Sequence, residues 1–292
     1  MVCSIAGSCI FNFGRNSGFF NLNCTPHPPE LPEFYQGLLK VQAETKALIN
    51  SPGIEMDKDV LNSQMVNGTP LLKFDDLNLD WALVEDTFIK IGSVFAAFPE
   101  LFNNVPEWLP GQKPKLFKEA IKAWFNGDKL SAEIVSYYTD EHLLAAIIHQ
   151  TTKPFLASHA QELIGEVNQE LWQRDYCPVC GGISDFAFLE KEAGARWLLC
   201  SNCDTQWLFQ RLTCPYCGNN DHKSLSYFVG DSERYRLYVC DKCHCYLKAI
   251  DLRKVEDTAD IILPLERFMT IDMEHQGQEK GYNPGGKRMQ DI

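Results

Sequence analysis

From Cys177 to Cys245 the chain reads CPVC (177–180), GGISDFAFLEKEAGARWLL (181–199), CSNC (200–203), DTQWLFQRLT (204–213), CPYC (214–217), GNNDHKSLSYFVGDSERYRLYV (218–239), CDKC (240–243) and HC (244–245). In a C-x-x-C pair the short turn points both thiolates at one ion, and two such pairs close a four-cysteine shell. Four pairs in series therefore supply two complete metal sites. The pairs are separated by 19, 10 and 22 residues. The simplest grouping joins Cys177 and Cys180 with Cys200 and Cys203, and Cys214 and Cys217 with Cys240 and Cys243. Each half then repeats one plan of knuckle, hairpin and knuckle. An interleaved grouping is less economical but stays open.

Two of the knuckles, Cys177–Gly181 and Cys214–Gly218, have the form CPxCG. Proline presets the turn, and glycine can take the positive φ that aims backbone N–H groups at the sulfurs. Cys245 is a ninth cysteine of this block and reads as a spare thiol on the strand leaving the last knuckle. His244 likewise reads as a neighbour rather than a ligand. The intervening pieces DFAFL, ARWLL, QWLFQ, SLSYFV, RYRLYV and YLKAI are rich in β-branched and aromatic residues, which suits short strands between knuckles.

Upstream the texture is helical. PEFYQGLLKVQAETKALIN places Phe34, Leu38, Val41, Ala47 and Leu48 near a helical period and stops at Ser51-Pro52-Gly53. Residues 52–78, punctuated by Gly53, Gly68 and Pro70, read as a connector. Asp80 caps the next helix, DWALVEDTFIKIGSVFAAF, whose apolar residues call for deep burial. Pro106, Pro110 and Pro114 mark a bend before KLFKEAIKAWFNG, closed by Gly127, and a short helix follows around Ser131–Tyr138. Thr139 caps a long run to Tyr176, with Asp140 and Glu141 in its first turn and Pro154 expected to kink or break it. His142, His149 and His159 lack the i, i+4 spacing of a ligand pair and read as packed or surface side chains. Cys3, Cys9, Cys24 and His27 show no ligand spacing either.

The chain has 292 residues, 45% hydrophobic and 23% charged, a soluble globular composition long enough for more than one domain. Its formal charge of −12 repels phosphate backbones. From Leu171 to Arg253 ten Lys/Arg balance ten Asp/Glu, so no basic field supports a zinc-ribbon nucleic-acid binder. No apolar run approaches the ~18 residues of a membrane span, and the first twenty residues lack the basic start of a secretory signal. The expected compartment is the cytoplasm, where paired thiolates hold metal rather than disulfides. GxGxxG, P-loop, HExxH and GxSxG patterns are absent. A metal saturated by four cysteines keeps no open position for substrate, so the expectation is a metal-binding protein, not an enzyme.

RDYCPVCGG, CSNCDTQW with Arg211 following, LTCPYCG and CDKCHCYLK together resemble the FdhE family of formate dehydrogenase accessory proteins. Trp207, Tyr246-Leu247-Lys248, the segment HLLAAIIHQTTKPFLASHAQEL and the GYNP near the end share that likeness. It covers about Pro32 to Pro284 and departs from the pattern around Ile261–Glu274. The resemblance implies an all-α N-terminal domain followed by two small rubredoxin-like, zinc-ribbon-like four-cysteine modules. The expected boundaries are an arm at 1–30, a helical domain at 31–172, modules at 173–212 and 213–255, and a helical tail at 256–292. It also implies a cytoplasmic helper that docks on the immature catalytic subunit of a respiratory formate dehydrogenase, with iron the associated metal. Base rates for thiolate ribbons favour zinc instead. A rubredoxin-like electron carrier is the alternative class. Trp197, Trp207, Tyr227 and Tyr246 are candidates either for partner anchors or for core packing.

Overall fold

The computed structural model describes residues 28–285 apart from 51–56, 104, 107–109, 139 and 231–232. Cys3, Cys9, Cys24, His27 and the cap assigned to Thr139 lie outside the described residues. The chain divides into two units, residues 1–50 with 74–155 and residues 51–73 with 156–292.

The first unit is helical: α1 (Leu31–Leu48), and in chain order after residue 73, α3 (Trp81–Ala96), α4 (Pro99–Phe102), α5 (Pro114–Asn126), α6 (Ala132–Tyr138) and most of α7 (Glu141–Leu163). The Asp80 carboxylate accepts from the N–H groups of Ala82 and Leu83 and so starts α3. Asp140 does the same for α7, accepting from the Leu143 N–H at 2.9 Å. Gly127 closes α5 in the left-handed region, φ 77°. Phe34, Phe88, Phe95, Phe117 and Tyr138 are all buried and meet largely edge-on, an arrangement that suits their ring quadrupoles.

Pro154 neither breaks α7 nor ends it, so the break that was one of the two sequence expectations does not occur: the helix runs on to Leu163. A proline at 154 leaves the carbonyl of residue 150 without its usual helical donor. Here the Gln42 amide of α1 donates to that Gln150 carbonyl at 3.1 Å and to the Gln150 side chain at 2.8 Å. Both glutamines are buried. Gln42→Leu is expected to cost about 1–3 kcal/mol by orphaning a buried acceptor, read as a lower urea midpoint with an unchanged slope.

The second unit begins with α2 (Lys58–Asn67), a ten-residue helix inside the segment expected to be a connector. Asp57 caps it and Gly68, φ 71°, ends it, so one of the residues read as punctuation is the helix's C-terminal end. It buries only Leu61 and Met65, which leaves almost no periodic signal.

The rest of the unit is built on one sheet of β1 (Ser184–Leu189), β2 (Arg196–Cys200), β3 (Gln206–Phe209), β4 (Leu225–Val229), β5 (Tyr235–Cys240) and β6 (Cys245–Asp251), in the order β3-β2-β1-β6-β5-β4. Each half is an antiparallel meander. The halves join where β1 and β6 run parallel, from Phe186 opposite Lys248 to Leu189 opposite Asp251. A two-residue strand β7 (Asn283–Pro284) pairs with the start of β6, Cys245 and Tyr246, which β1 does not reach.

The C-terminal helices α8 (Leu263–Glu266) and α9 (Ile271–Glu279) belong to the same unit. Phe186, Phe188, Leu199, Leu237, Val239, Tyr246 and Ile250 form the sheet core, and Met273 of α9 packs into it. A Cβ at Gly277 would fall 2.8 Å from the Leu237 side chain and 3.2 Å from that of Tyr246, so a larger residue there would have to displace them.

Asp251 at the end of β6 is fully buried and paired with Arg236 (2.6 Å) and Arg253 (2.8 Å). Hydrogen bonds from Arg253 lead in holding its carboxyl below the usual carboxylate range, and the charge of Arg236 adds to them against the opposing effect of burial. An unfolded aspartate titrates near ~3.9. The stabilisation by ionised Asp251 is therefore complete above that value and is lost as pH falls through the lower folded value. The stability gap between the native chain and Asp251→Asn is expected to narrow below about pH 4, measured by urea unfolding across pH 3–6.

Candidate metal centres

The four knuckles share one backbone device. In each, the residue after the second cysteine is left-handed: Gly181 (φ 67°), Asp204 (φ 57°), Gly218 (φ 67°) and His244 (φ 53°). Aspartate and histidine are among the few side chains that tolerate this region. The glycines were legible as turn formers; Asp204 and His244 carry the same conformation without the CPxCG signature. In the two proline-containing knuckles the turn closes identically. The Gly181 N–H donates to the Cys177 carbonyl (2.9 Å) and the Cys177 N–H to the Gly182 carbonyl (2.7 Å), matched by Gly218 to Cys214 (3.0 Å) and Cys214 to Asn219 (2.8 Å).

These turns gather the eight sulfurs into two sets, Cys177, Cys180, Cys200 and Cys203, and Cys214, Cys217, Cys240 and Cys243, each within 4.8 Å of one another. All nine described cysteines, Cys245 included, are free. Sulfurs lie 3.6 Å apart for Cys177–Cys203, 3.5 Å for Cys180–Cys200, and 3.7 Å for both Cys214–Cys243 and Cys217–Cys240. A tetrahedron with metal–sulfur bonds of about 2.3 Å has edges of about 3.8 Å. Each set thus has the donors, number and spacing for one tetrahedral ion. The two sets could each hold a metal ion, and either iron or zinc suits such a shell.

The first set is buried throughout. Neighbouring Cys177, Cys200 and Cys203, with burial, push the Cys180 thiol well above its ordinary value, because crowded thiols cannot all ionise without a cation. N–H groups of Gly182 and Asn202 reach the sulfurs of Cys180 and Cys200 at 3.4 Å, and the Thr205 hydroxyl lies 3.0 Å from that of Cys203. The first knuckle is also hydrogen-bonded from above. Leu71 and Leu72 donate their N–H groups to the carbonyls of Pro178 (2.9 Å) and Val179 (2.8 Å), and Pro70 sits against Gly181. Tyr176 donates to the Gly68 carbonyl at 2.6 Å.

Arg267, between α8 and α9, is buried beside the second knuckle. Its guanidinium donates to the Cys200 carbonyl (3.1 Å) and pairs with Asp204 (3.0 Å) and Asp185 (3.3 Å). Lys248 of β6 donates to the Arg267 carbonyl at 2.7 Å and pairs with Glu274. Sequence reasoning missed Arg267; its only signal is one cation inside the apolar run LPLERFM.

In the second set Cys214 and Cys240 are buried, whereas Cys217 and Cys243 reach solvent. Cys245 is half-buried, its Sγ 3.5 Å from the Cys243 carbonyl. The Asn219 amide points at the Cys240 sulfur at 3.6 Å. Tyr282 donates to Asp241 at 2.6 Å and its ring lies near that of His244. Burial leads in raising the Cys217 thiol.

Of the aromatic candidates, Trp207 and Tyr246 are core residues, Trp197 stacks on Phe188, and Tyr227 is exposed on the edge strand β4. His149 and His159 are buried and His142 is exposed; among the described residues the metal-ligating groups are the two cysteine sets. No helix among the described residues is long and apolar enough to cross a membrane.

Residues 176–211 match the family model described as FdhE, central domain. The chain is 26% identical over 263 residues to the protein FdhE homolog of Aquifex aeolicus (strain VF5), covering 88% of this chain and 87% of that one. It is 33% identical over 133 residues to the FdhE homolog of Haemophilus ducreyi, covering 43% and 42%. Among solved structures, the crystal structure of the FdhE protein from Pseudomonas aeruginosa aligns over 85% of this chain and 84% of that one, with a TM-score of 0.56 at 20% identity. At that identity the structural likeness speaks to the fold.

Proposed function

We propose, from the likeness to FdhE in sequence and fold, that this chain is an FdhE-type accessory protein in the maturation of a respiratory formate dehydrogenase. In this reading it acts in the cytoplasm and docks on the immature catalytic subunit. Two rubredoxin-like centres shape or redox-tune the docking surface. Cys177, Cys180, Cys200 and Cys203 would hold one ion, and Cys214, Cys217, Cys240 and Cys243 the other. The observation that carries the metal part is the pair of four-sulfur sets at tetrahedral spacing. Iron is preferred to zinc on the family resemblance.

A bound ion would supply a rigid cross-link and, if iron, a one-electron couple. The chain's own residues do the rest: four thiolates saturate the ion, so substrate finds no open coordination position, and neither centre is read as an enzyme active site. Gly182, Asn202, Thr205 and Asn219 direct hydrogen-bond donors or a hydroxyl at the sulfurs and offset their charge. Arg267 adds a fixed positive charge beside Cys200.

The electron-carrier reading has one observation in its favour, the solvent-reaching edge of the second set. Absence of a bleachable visible band in the anaerobically isolated chain would remove it. Removing the whole chain from its native host is expected to lower formate dehydrogenase activity while the client polypeptide remains present; unchanged activity overturns the accessory reading.

A further inference from the structure

The two four-sulfur sets have the same donors but different surroundings. Every sulfur-bearing residue of the first set is at most 6% exposed, and its first knuckle is bonded on the outside to Leu71 and Leu72. In the second set Cys217 is exposed and Cys243 half-buried, and a fifth thiol, Cys245, lies half-buried two residues beyond Cys243. A metal ion leaves a saturated thiolate shell only when an incoming ligand reaches the ion or a proton reaches a sulfur, so exchange depends on access.

We propose that the second centre is an exchangeable metal site and the first a permanent one, with soft competing ligands such as small thiols, or a thiol of a protein partner, as the exchange class. This rests on the proposed reading that both sets hold an ion. The step involves no redox change. An entering donor bonds to the ion as the bond to Cys217 or Cys243 breaks, and the released thiolate takes up a proton. Cys245 provides an entering thiol on the chain itself: its sulfur bonds to the ion and its proton passes to the departing thiolate. The first centre offers no such approach, since its four cysteines are buried and the 70–72 segment is bonded over its first knuckle.

The test uses the full chain loaded with zinc and mixed with excess 4-(2-pyridylazo)resorcinol, following absorbance of the zinc–dye complex. The expected result is two ions released in two phases of one equivalent each, the first at least about tenfold faster. Cys217→Ser should leave only the slow equivalent. Cys245→Ala should keep both equivalents but slow the fast phase severalfold. A single phase for both ions, or loss of the slow phase in Cys217→Ser, overturns the proposal, and an unchanged fast phase in Cys245→Ala overturns the role of the fifth thiol. A native chain that binds fewer than two ions instead contradicts the two-ion reading beneath it.

Discussion

Replacing Cys177 and Cys180 together by serine is expected to reduce the bound metal from two ions per chain to one and to abolish the cooperative unfolding of the sheet unit. Serine hydroxyls are poor ligands at neutral pH, and the remaining pair, Cys200 and Cys203, cannot hold a tetrahedral ion alone. A structural four-thiolate site contributes on the order of 10 kcal/mol or more to folding, comparable with the whole net stability of a domain. The loss is not confined to the knuckle. Pro178 and Val179 carry the carbonyls that order Leu71 and Leu72, and Tyr176 ties the same region to Gly68. In the functional reading this variant lowers formate dehydrogenase activity while the client polypeptide persists. Metal analysis with urea unfolding followed by circular dichroism checks the physical part. Two retained ions, or an unmoved midpoint, would contradict it.

The second large effect is expected at Arg267. Arg267→Met keeps most of the side-chain volume but removes a buried cation from between Asp185 and Asp204 and a donor from the Cys200 carbonyl. Breaking a buried pair by removing one partner costs about 3–5 kcal/mol. Both aspartates are roughly a quarter exposed, and solvent screening brings the expectation to the order of 3 kcal/mol. The change should also detach α8 and its neighbours from the second knuckle. It therefore appears as faster amide exchange from Leu263 to Thr270, as well as a lower urea midpoint. A midpoint within experimental error of the native chain would show that Arg267 adds nothing to the fold.

Much of the sheet unit was legible in the residues because its signals are local. A C-x-x-C turn needs only four residues, and the strands between knuckles show their character in short β-branched and aromatic runs. Helices α3 and α5 were likewise readable from their period, the Asp80 cap and the Gly127 stop. What escaped was non-local or faint. The Gln42 amide that lets α7 continue through Pro154 comes from 108 residues away. Parallel pairing of β1 with β6 depends on register across both halves of the block. Helix α2 buries two side chains only, so its punctuation outweighed its period. Asp204 and His244 adopt left-handed turns that residue identity permits but does not announce. The position of Arg267 against Cys200 follows from the path of the tail, which no motif marks.

The accessory reading is tested most directly by an anaerobic affinity pull-down of the full chain from its native host, with bound proteins identified and bound metal counted. The account predicts recovery of a formate dehydrogenase catalytic subunit together with about two ions per chain, one for each tetrahedral four-cysteine set. Recovery of nucleic acid or transcription components with zinc, and no formate dehydrogenase subunit, would contradict it.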